Sequence, residues 1–595
     1  MSVLLDRLDG VFGTFMLGET VLALVVLALA FTAPRLGERG LGRVEAGAAR
    51  LLATPVRQIA AVGLLALLLR AALLPWIGPA QPVVHDEQSL LLQAQTHLLG
   101  RLALPTHPFW EHFETFHVNQ VPAYASVYVP GRGAPLALGL LLAGEAWAGI
   151  WIATVAMAMA ATWMLQAWVP APYALLGGML VVLRFGLFSY WINGFWGGSF
   201  TAFGAMLVVG ALPRLLARPG WGLGAVLGTG AAILATSRPY EGALLCLPVA
   251  ALLAWRFLRP ARPGWRGGFA RAAVPALACV AAAVGLLAAH NLATTGHAMR
   301  SAYGVNRLAY AEAPAFLTSA PVASERRGPA HMRAFYAEEA RPHARRTSAK
   351  GLVAGVAAKV WHTWRFYVGP IFTVAFLAGL WALRRNVFVP AALGFFLAGF
   401  ALETWNFPHY TAPAMPLLLI VLMRGFAQLR GWSWRGRPTG RFLTRAMPAA
   451  LGAALLLPAS AAILGTPRLE SNRTLVCCSI GTGALRQVLD ARLAALPGRH
   501  LVMVRSGAHN PVHYELVYNE ADIDAARVVW ARALGPDRDA RLAEHFPGHR
   551  VWAFDWRPDL PQAYTLELLR EPQPRGPSSA DGHAPTVVAG RGPAP

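Results

Sequence analysis

Long apolar segments separated by short charged stretches dominate the chain. Twelve of these segments approach the ~20 residues that a helix needs to cross the hydrocarbon core of a bilayer. We therefore predict an all-α multi-pass membrane domain with about 12 transmembrane helices. The predicted spans are residues 15–33, 58–77, 149–168, 172–190, 199–214, 221–236, 240–257, 272–290, 366–384, 387–403, 409–426 and 444–464.

Arginine positions orient the predicted spans, because short cytoplasmic loops of membrane proteins are enriched in Lys and Arg. Five arginines fall within residues 34–57, which predicts that this loop is cytoplasmic and that the next loop, residues 78–133, is external. The same rule predicts further external segments. These are residues 189–199, 236–241, 291–365 and 403–411 and everything after residue 465.

One apolar run, residues 134–147, does not fit this alternation. Counting it as a span would move residues 189–199 to the cytoplasmic side. We therefore predict that it forms a short re-entrant or interfacial helix that does not cross. Irregular backbone at membrane depth is tolerated only where protein or a water-filled cavity surrounds it, so this prediction also indicates a cavity at the external face.

The pattern changes near residue 466. Short apolar runs at residues 501–504, 528–530 and 551–554 predict strands, and residues 484–496 and 538–546 predict amphipathic helices. We predict three regions: a membrane domain over 1–465 with external loops 78–133 and 291–365, a small C-terminal α/β periplasmic domain over 466–570, and a disordered tail over 571–595. The tail is rich in Pro, Gly and Ser.

Composition agrees with a membrane protein. Of the 595 residues 55% are hydrophobic and 14% are charged, whereas about 25% would be charged in a soluble protein. The net charge of +22 is almost entirely Arg, since Lys350 and Lys359 are the only lysines. Two explanations compete for this excess: positive-inside loops, and sites for anionic lipids or phosphates. The arginines are spread between apolar segments, which argues against nucleic acid as a partner.

Cysteines and the N-terminus add little. Cys246 and Cys279 lie in apolar segments, and the adjacent pair Cys477 and Cys478 cannot readily bridge to itself, so no disulfide framework is predicted. The first apolar run has no basic region before it, which predicts a retained anchor and no cleavable signal peptide.

An acidic pair, Asp86 and Glu87, follows His85 directly after the second predicted span. Two interpretations compete. Acidic side chains at a helix N-terminus accept hydrogen bonds from free backbone N–H groups. Alternatively, a carboxylate where a span meets water serves catalysis, because ionisable groups at membrane depth are expensive and are usually functional.

The surroundings of this pair resemble a known superfamily. An apolar span, the Asp86-Glu87 pair, an amphipathic run over residues 88–99 and a Pro-containing entry over residues 128–135 resemble the GT-C superfamily of polyprenyl-phosphate-sugar-dependent glycosyltransferases. Its members include protein O-mannosyltransferases and lipid A aminoarabinose transferases. The resemblance covers residues 58–426. It implies that Asp86, with Glu87 beside it, acts as the catalytic base or binds a metal.

One departure concerns the metal. Many relatives carry another Asp in the second external loop, but residues 189–199 contain none and offer Asn193, aromatic residues and glycines instead. A metal-independent mechanism is therefore favoured over a divalent metal cofactor. We assign no metal ligand. A zinc site at His107, His112 and His117 is also disfavoured, because their five-residue spacing does not place them on one helical face.

Substrate binding needs cations. A phosphate leaving group needs no protonation, but its charge must be held, preferably by bidentate Arg. Candidates on the predicted external face are Arg132, Arg238 and Arg307, and the alternative for each is an arginine in a salt bridge or at lipid headgroups. Arg238 is favoured because it separates two apolar runs, although Glu241 can simply neutralise it.

Three aromatic or histidine positions join this set. Tyr303 lies in the same stretch as Arg307, and His409 and Tyr410 lie at another predicted span end. The last two fit either contact with the sugar or phosphate, or an aromatic belt at the membrane interface. The segment 481–483 lacks the third glycine of a dinucleotide-binding fingerprint and fits a helix-start turn. The C-terminal domain is then an accessory that recognises the acceptor.

The resemblance and the residues together predict an inner-membrane glycosyltransferase. It would transfer a monosaccharide from a polyprenyl-phosphate donor to a periplasmic acceptor with inversion, using Asp86 as general base. A secondary transporter or flippase for a lipid-linked or anionic solute is the alternative, although we detect no internal repeat of the kind that transporters usually contain. A non-enzymatic assembly or sensor component is a third class. The sequence identifies neither the donor sugar nor the acceptor.

Overall fold

The computed structural model describes residues 14–259, 264–321, 325, 328–464, 483–505, 515–557, 563–572 and 587–591. The chain folds into two compact units. The membrane unit comprises Met1–Ala80, Trp147–Gly285 and Ala349–Cys477, and the mixed unit comprises Gln81–Ala146, Leu286–Ser348 and Cys478–Pro595. The sequence boundary at residue 465 separates the predicted external loops from the C-terminal domain, whereas the contacts in the structure group most of both loops with it.

Helices make up most of both units. In chain order they are α1 Thr14–Thr32, α2 Glu38–Leu51, α3 Pro55–Ile77, α4 His85–Leu98, α5 Ala134–Ala143, α6 Ala146–Leu165, α7 Ala171–Phe185, α8 Gly198–Ala217, α9 Trp221–Ser237, α10 Pro239–Leu258, α11 Trp265–Thr295, α12 Ala302–Tyr310, α13 Ala330–Arg346, α14 Ala349–Tyr367, α15 Gly369–Ala382, α16 Phe388–Ala401, α17 Met415–Arg430, α18 Thr439–Leu464, α19 Gly483–Ala495 and α20 Pro536–His545.

Every predicted span coincides with a helix, but fewer than twelve are long enough to cross a membrane. Among the described residues, eight helices are long and apolar enough, and α14 and α15, bent by 103° at their junction, would make a ninth. Helices α7, α9 and α16 have 15, 17 and 14 residues. The protein is a multi-pass membrane protein, and the predicted count of about 12 is not confirmed.

The ambiguous run forms helix α5, which belongs to the mixed unit. Its ten residues reach about 15 Å at 1.5 Å per residue, roughly half of the hydrocarbon thickness. It begins with Pro135 in its first turn and ends at Gly144, whose φ of 68° is a left-handed conformation that suits glycine. The helix is too short to cross alone, and a re-entrant or interfacial position for residues 134–147 stays a prediction.

A five-stranded sheet forms the centre of the C-terminal part of the mixed unit. Its strands are β3 Arg499–Arg505, β4 Val528–Arg532, β5 His549–Arg557, β6 Ala563–Arg570 and β7 Val587–Arg591, and a short hairpin, β1 Val118–Asn119 with β2 Ala125–Ser126, precedes them in the chain. The order is β4-β3-β5-β6-β7, with β3 parallel to β4 and β5 and the other pairs antiparallel.

The three predicted strands correspond to β3, β4 and β5, and the two predicted helices to α19 and α20. The sequence did not predict β6 or β7. Strand β7 is part of the stretch for which the sequence predicts disorder, and residues 573–586 and 592–595 of that stretch lie outside the described residues. Cys477, Cys478 and most of the segment 481–483 lie outside them as well.

Both faces of the sheet are buried. Val502 and Val504 of β3 pack with Leu489 of α19 on one face. Leu501 and Met503, which alternate with them, pack on the other face in a cluster that also contains Leu92, Leu104 and Phe113 of the first predicted external loop. Successive strand side chains point to opposite faces, so a single strand joins two apolar layers. The first loop and the C-terminal sheet share one hydrophobic core.

Candidate active site

Helix α4 is the next helix after α3 in the chain, and its first turn contains both predicted catalytic acids. The side chain of Glu87 is 1% exposed. Its Oε2 accepts hydrogen bonds from the backbone N–H groups of Val83 at 2.8 Å and Val84 at 3.3 Å. These are donors that a helix N-terminus leaves without backbone partners. Glu87 therefore caps the start of α4.

The carboxylate of Asp86 sits among hydrogen-bond donors. Its side chain is 23% exposed, which leaves it reachable. The hydroxyl of Tyr128 donates to Oδ1, and Nε2 of His117 lies 3.7 Å from Oδ2. Burial raises the pKa of Asp86, but the charge of His117, the Tyr128 hydrogen bond and the charges of His85 and Arg132 together lower it below its usual value. The group is thus a carboxylate at neutral pH.

One face of α4 organises these partners. Ser89 donates to the carbonyl of His117 at 2.6 Å, and Gln93 donates to the carbonyl of Tyr128 at 2.7 Å. The oxygen of Gln93 also accepts from the N–H of Gly133 at 2.7 Å. A side chain at Gly133 would meet Gln93 at 2.8 Å, so glycine is required for this approach. Residues three and four apart share a helix face, so α4 carries both the acid and the anchors for its partners.

Arg132 is 7% exposed, and its guanidinium lies 4.0 Å from the centre of the Tyr128 ring. Cation–π contact of this kind holds an arginine in place with its positive charge retained. Tyr128 therefore touches both groups, since its hydroxyl binds Asp86 and its ring face supports Arg132. The structure brings these two predicted site residues together.

A second arginine and carboxylate belong to the same unit. Arg307 on α12 donates from Nη1 to Oε2 of Glu339 on α13 at 2.8 Å and from Nη2 to the carbonyl of Ala313. The rings of Tyr303 and Tyr336 lie 6.0 and 5.6 Å from its guanidinium. Predicted residues Arg307 and Tyr303 are thus neighbours.

Glu339 was missed from the sequence. Burial raises its pKa, the charge of Arg307 lowers it, and the negative charge of Asp86 raises it further, so the net pKa lies above the usual value. Its electrostatic contact with both Asp86 and His117 makes it the second carboxylate of this cluster. We call Asp86, His117, Tyr128, Arg132, Arg307 and Glu339 the Asp86 cluster. Carboxylates with pKa values displaced in opposite directions are typical of acid–base sites.

Aromatic packing and buried polar bonds hold α12 and α13 on the first loop. Phe116 stacks on His85, with ring centres 4.5 Å apart, and also contacts Phe335 of α13 at 5.1 Å. Asn306 donates to the side chain of Asn119 on β1 at 3.0 Å. These contacts join chain segments about 200 residues apart and fix the Arg307–Glu339 pair relative to Asp86.

His85, Asp86 and His117 can hold a metal ion, because their ligand atoms lie within 4.8 Å of one another. Two imidazoles and one carboxylate form a common zinc donor set. This triplet differs from the histidine set considered in the sequence. Only His117 belongs to both.

A second triplet, His107, Asp524 and His545, has similar spacing but a different chemistry. Nδ1 of His107 accepts from the backbone N–H of Phe109 at 3.0 Å, so the neutral ring carries its proton on Nε2 and donates it to Asp524 at 3.2 Å. A metal-bound imidazole normally donates from its other nitrogen. This triplet is therefore a hydrogen-bonded junction.

The remaining predicted residues lie in the membrane unit. Arg238 separates α9 from α10, and its Nη1 lies 3.4 Å from Oε1 of Glu241. The Tyr410 ring centre is 4.1 Å from the guanidinium. Glu403 is 5% exposed, and its Oε2 has no hydrogen-bond partner in the described part of the chain. We call Arg238, Glu241, Glu403 and Tyr410 the Arg238 cluster.

Glu403 is the residue of this cluster that the sequence did not indicate. Burial, followed by the negative charge of Glu241, raises its pKa well above the usual value. Lys359 fixes the adjoining backbone by donating to the carbonyl of Phe400 at 2.6 Å and to that of Glu403 at 2.5 Å. A cation at the C-terminal end of α16 also complements the helix dipole.

His409 and Asn193 have structural contacts. Nδ1 of His409 is 3.0 Å from the hydroxyl of Tyr190, and the Trp196 ring stacks on it with centres 4.7 Å apart. Nδ2 of Asn193 donates to the carbonyls of Leu187 and Ser189, both at 3.1 Å, which closes its own turn. The ten predicted site residues thus divide equally: Asp86, Glu87, Arg132, Tyr303 and Arg307 are in the mixed unit, and Asn193, Arg238, Glu241, His409 and Tyr410 are in the membrane unit.

No family model and no curated protein matches the chain. Solved structures do. An oligosaccharyltransferase from Archaeoglobus fulgidus, in complex with Zn and sulfate, is 12% identical with a TM-score of 0.43, covering 84% of this chain and 67% of that one. ArnT from Cupriavidus metallidurans bound to undecaprenyl phosphate is 14% identical with a TM-score of 0.43, covering 84% and 92%. The archaeal oligosaccharyltransferase AglB from Archaeoglobus fulgidus, in complex with an inhibitory peptide and a dolichol-phosphate, is 11% identical with a TM-score of 0.41, covering 84% and 69%.

Each of these similarities extends over 84% of the chain at low sequence identity.

Proposed function

We propose that the protein is a bacterial inner-membrane glycosyltransferase that uses a polyprenyl-phosphate sugar. It transfers the monosaccharide with inversion to an acceptor on the periplasmic side, where the C-terminal domain also lies. The observation that carries this proposal is the ionised, partly exposed carboxylate of Asp86 in a cluster that also contains Arg132 and Arg307. A base and phosphate-binding cations are the two things that this reaction requires.

In the proposed reaction, the acceptor hydroxyl oxygen attacks the anomeric carbon from the face opposite the phosphate. The new C–O bond forms as the bond to the phosphate oxygen breaks, and the bonding electrons leave with the phosphate. Asp86 accepts the acceptor proton. Its low pKa makes it a weak base that is fully ionised at neutral pH, and this suffices because the hydroxyl becomes acidic as its oxygen bonds to carbon. A single displacement of this kind inverts the anomeric configuration.

The departing phosphate needs positive charge rather than a proton. Arg132 and Arg307 supply it in this proposal, with Tyr303 beside Arg307. Glu339 modulates the second of them: when Glu339 is ionised it neutralises Arg307, and when it is protonated the guanidinium charge is available to the phosphate. The raised pKa of Glu339 supports this role, because it brings protonation closer to neutral pH.

A metal-assisted version of the reaction uses the same residues differently. A divalent ion held by His85, Asp86 and His117 would supply positive charge to the donor phosphate, and Asp86 would then be a ligand and not the base. In the membrane unit, Arg238, with Tyr410 and His409, remains the predicted substrate contact, and Glu241 is its counter-ion.

The test is transfer from an undecaprenyl-phosphate sugar by purified Asp86→Asn. We expect a loss of about 10²–10⁴-fold in kcat, the usual contribution of a positioned base. Asp537→Asn is the matched control, because it makes the same change at an exposed acid of the mixed unit. Activity of Asp86→Asn within a few-fold of the control would remove Asp86 from the mechanism.

Glu403 favours one second candidate, a transporter for a lipid-linked or anionic solute. A buried carboxyl beside another acid is a common element of proton-coupled transport. Proteoliposomes distinguish the two functions. A transporter moves the solute without sugar transfer, and Glu403→Gln abolishes this movement. A glycosyltransferase forms the glycosylated product both as the wild type and as Glu403→Gln.

A further inference from the structure

Helix α2 is the feature that the proposed function leaves unexplained. It connects α1 to α3, both of which are long and apolar enough to cross a membrane. Only residues 33–37 and 52–54 join it to those helices. At up to ~3.5 Å per residue these connections reach about 17 and 10 Å. The helix is therefore confined to the membrane surface, yet it buries none of its residues in the protein.

Its two acids face the protein. Glu38 and Glu45 are seven residues apart and share one side of the helix. Glu45 accepts from Nη1 and Nη2 of Arg430, both at 2.8 Å, and from Nη2 of Arg445 at 2.7 Å. Glu38 lies 3.3 Å from Arg441. Bidentate contacts of this kind fix orientation as well as position, so α17 and α18 determine which side of α2 faces outward.

Its arginines occupy a different side. Arg39, Arg43 and Arg50 follow spacings of four and seven residues, which places them on one face, roughly a third of a turn or slightly more from the acids. All three are exposed. No carboxylate within the described ranges forms an ion pair with them. Glu38 and Glu45 are thus paired with arginines of α17 and α18, whereas the three arginines of α2 face away from the protein.

Apolar side chains lie beside the arginine face. Val44 and Leu51 are 67% and 74% exposed, and Leu36, just before the helix, is 58% exposed. A helix with exposed apolar residues flanked by arginine is typical of a helix that lies in the headgroup layer. Aromatic side chains mark the same level: Phe31, at the end of α1, contacts Trp434 with ring centres 5.8 Å apart. Tryptophan is enriched at the membrane interface.

We propose that α2 is an anionic-lipid-binding helix. Its apolar residues enter the boundary of the acyl chains, and Arg39, Arg43 and Arg50 bind the phosphates of anionic phospholipid headgroups. The short connections exclude a partner that would lift α2 away from the bilayer, and the charge of the exposed face selects anionic over zwitterionic lipid. This surface is independent of the proposed glycosyl transfer.

The test is hydrogen exchange of the α2 backbone amides in the full chain. The chain is reconstituted in phosphatidylcholine bilayers with or without phosphatidylglycerol. We expect phosphatidylglycerol to slow exchange by about fivefold or more, because each arginine near an anionic surface contributes about that factor. About 1 M salt should abolish the effect by reducing the Debye length to about 3 Å. The triple variant Arg39→Gln, Arg43→Gln, Arg50→Gln should lose it.

The control variant changes three exposed arginines of the mixed unit, Arg300→Gln, Arg345→Gln and Arg541→Gln, and should retain the effect. Unchanged exchange in the buried helix α17 reports that each variant is folded. Hydrogen exchange of the α2 amides that is the same with and without phosphatidylglycerol overturns the proposal. Protection that follows protein concentration instead would identify a second copy as the occupant, and this also overturns it.

Discussion

The Asp86 cluster and the Arg238 cluster use the same residue types and displace the pKa of a carboxyl group in opposite directions. Each combines an arginine–carboxylate pair with tyrosine and an additional acid. In the Asp86 cluster the additional acid has a tyrosine hydroxyl and a histidine within reach, and its pKa falls below the usual value. In the Arg238 cluster the additional acid, Glu403, is buried beside Glu241, and its pKa rises well above the usual value.

The difference lies in what compensates burial. Moving a carboxylate out of water disfavours its charged form, and only nearby donors or cations reverse that effect. Asp86 has such partners on several sides. Glu403 faces a second acid, and the charges of Arg238 and Lys359 lower its pKa by less than burial and Glu241 raise it. Asp86 is therefore suited to accept a proton, and Glu403 to carry one.

The largest expected effect separates the two acids directly. If Asp86 is the base, Asp86→Asn lowers kcat by about 10²–10⁴-fold. Glu403→Gln should leave kcat within a few-fold of the wild type, because glutamine imitates the protonated form that the raised pKa of Glu403 favours. Parallel measurements of sugar transfer test this contrast. Equal losses in both variants would show that charge state does not distinguish the two clusters.

The next effect concerns the arginine pairs. Arg307→Gln should raise KM for the lipid-phosphate donor by about 10–100-fold, since hydrogen bonds to charged groups contribute ~1.5–3 kcal/mol. Glu339→Gln should lower KM at neutral pH, because it frees Arg307 from its counter-ion. Steady-state kinetics with varied donor separates KM from kcat. An increase in KM for both variants would indicate that Glu339 only positions Arg307.

A smaller effect is the pH dependence of transfer. A depressed pKa keeps the Asp86 carboxylate ionised above its titration, and activity is lost as the pH falls through that pKa. The acid limb of kcat should therefore lie below the usual range for aspartate. Tyr128→Phe removes one of the interactions that lower the pKa, so its acid limb should move to higher pH. An unchanged limb, measured in a buffer series with a stable protein, would assign the limb to another group.

The sequence alone indicated those site residues and strands that a local pattern of charged and apolar residues marks. Asp86 stands out because a charged residue at a span end is costly, and Arg238 stands out for the same reason. Glu87 carried the same signal, and only the backbone geometry of α4 distinguishes its capping contacts from the contacts of Asp86. Strands β3, β4 and β5 were predictable because each is a short, continuous apolar run.

Contacts between distant segments were not predictable. Glu339 lies 32 residues from Arg307 and more than 250 from Asp86, in a polar stretch without periodicity that marks a site. Glu403 became notable only through its burial beside Glu241. The shared core of the first loop and the C-terminal sheet depends on side chains such as Leu92 and Leu501, which are some 400 residues apart. No spacing rule connects such positions.

The smallest expected effect is that of metal removal, and it tests the role of Asp86 most finely. The sequence favours a metal-independent mechanism, because residues 189–199 lack a second acid. A chelator should therefore change the rate of transfer by less than about twofold. The loss of a base would change it by about 10²-fold or more. His85→Gln is the informative companion. It removes a ligand from the His85, Asp86 and His117 triplet and leaves the Tyr128 hydrogen bond intact, so its rate should not depend on added zinc. The chelator could instead abolish transfer, with zinc restoring the activity of the wild type but not that of His85→Gln. Asp86 would then be a metal ligand. The difference in pKa between Asp86 and Glu403 would in that case reflect a bound cation and not a free base.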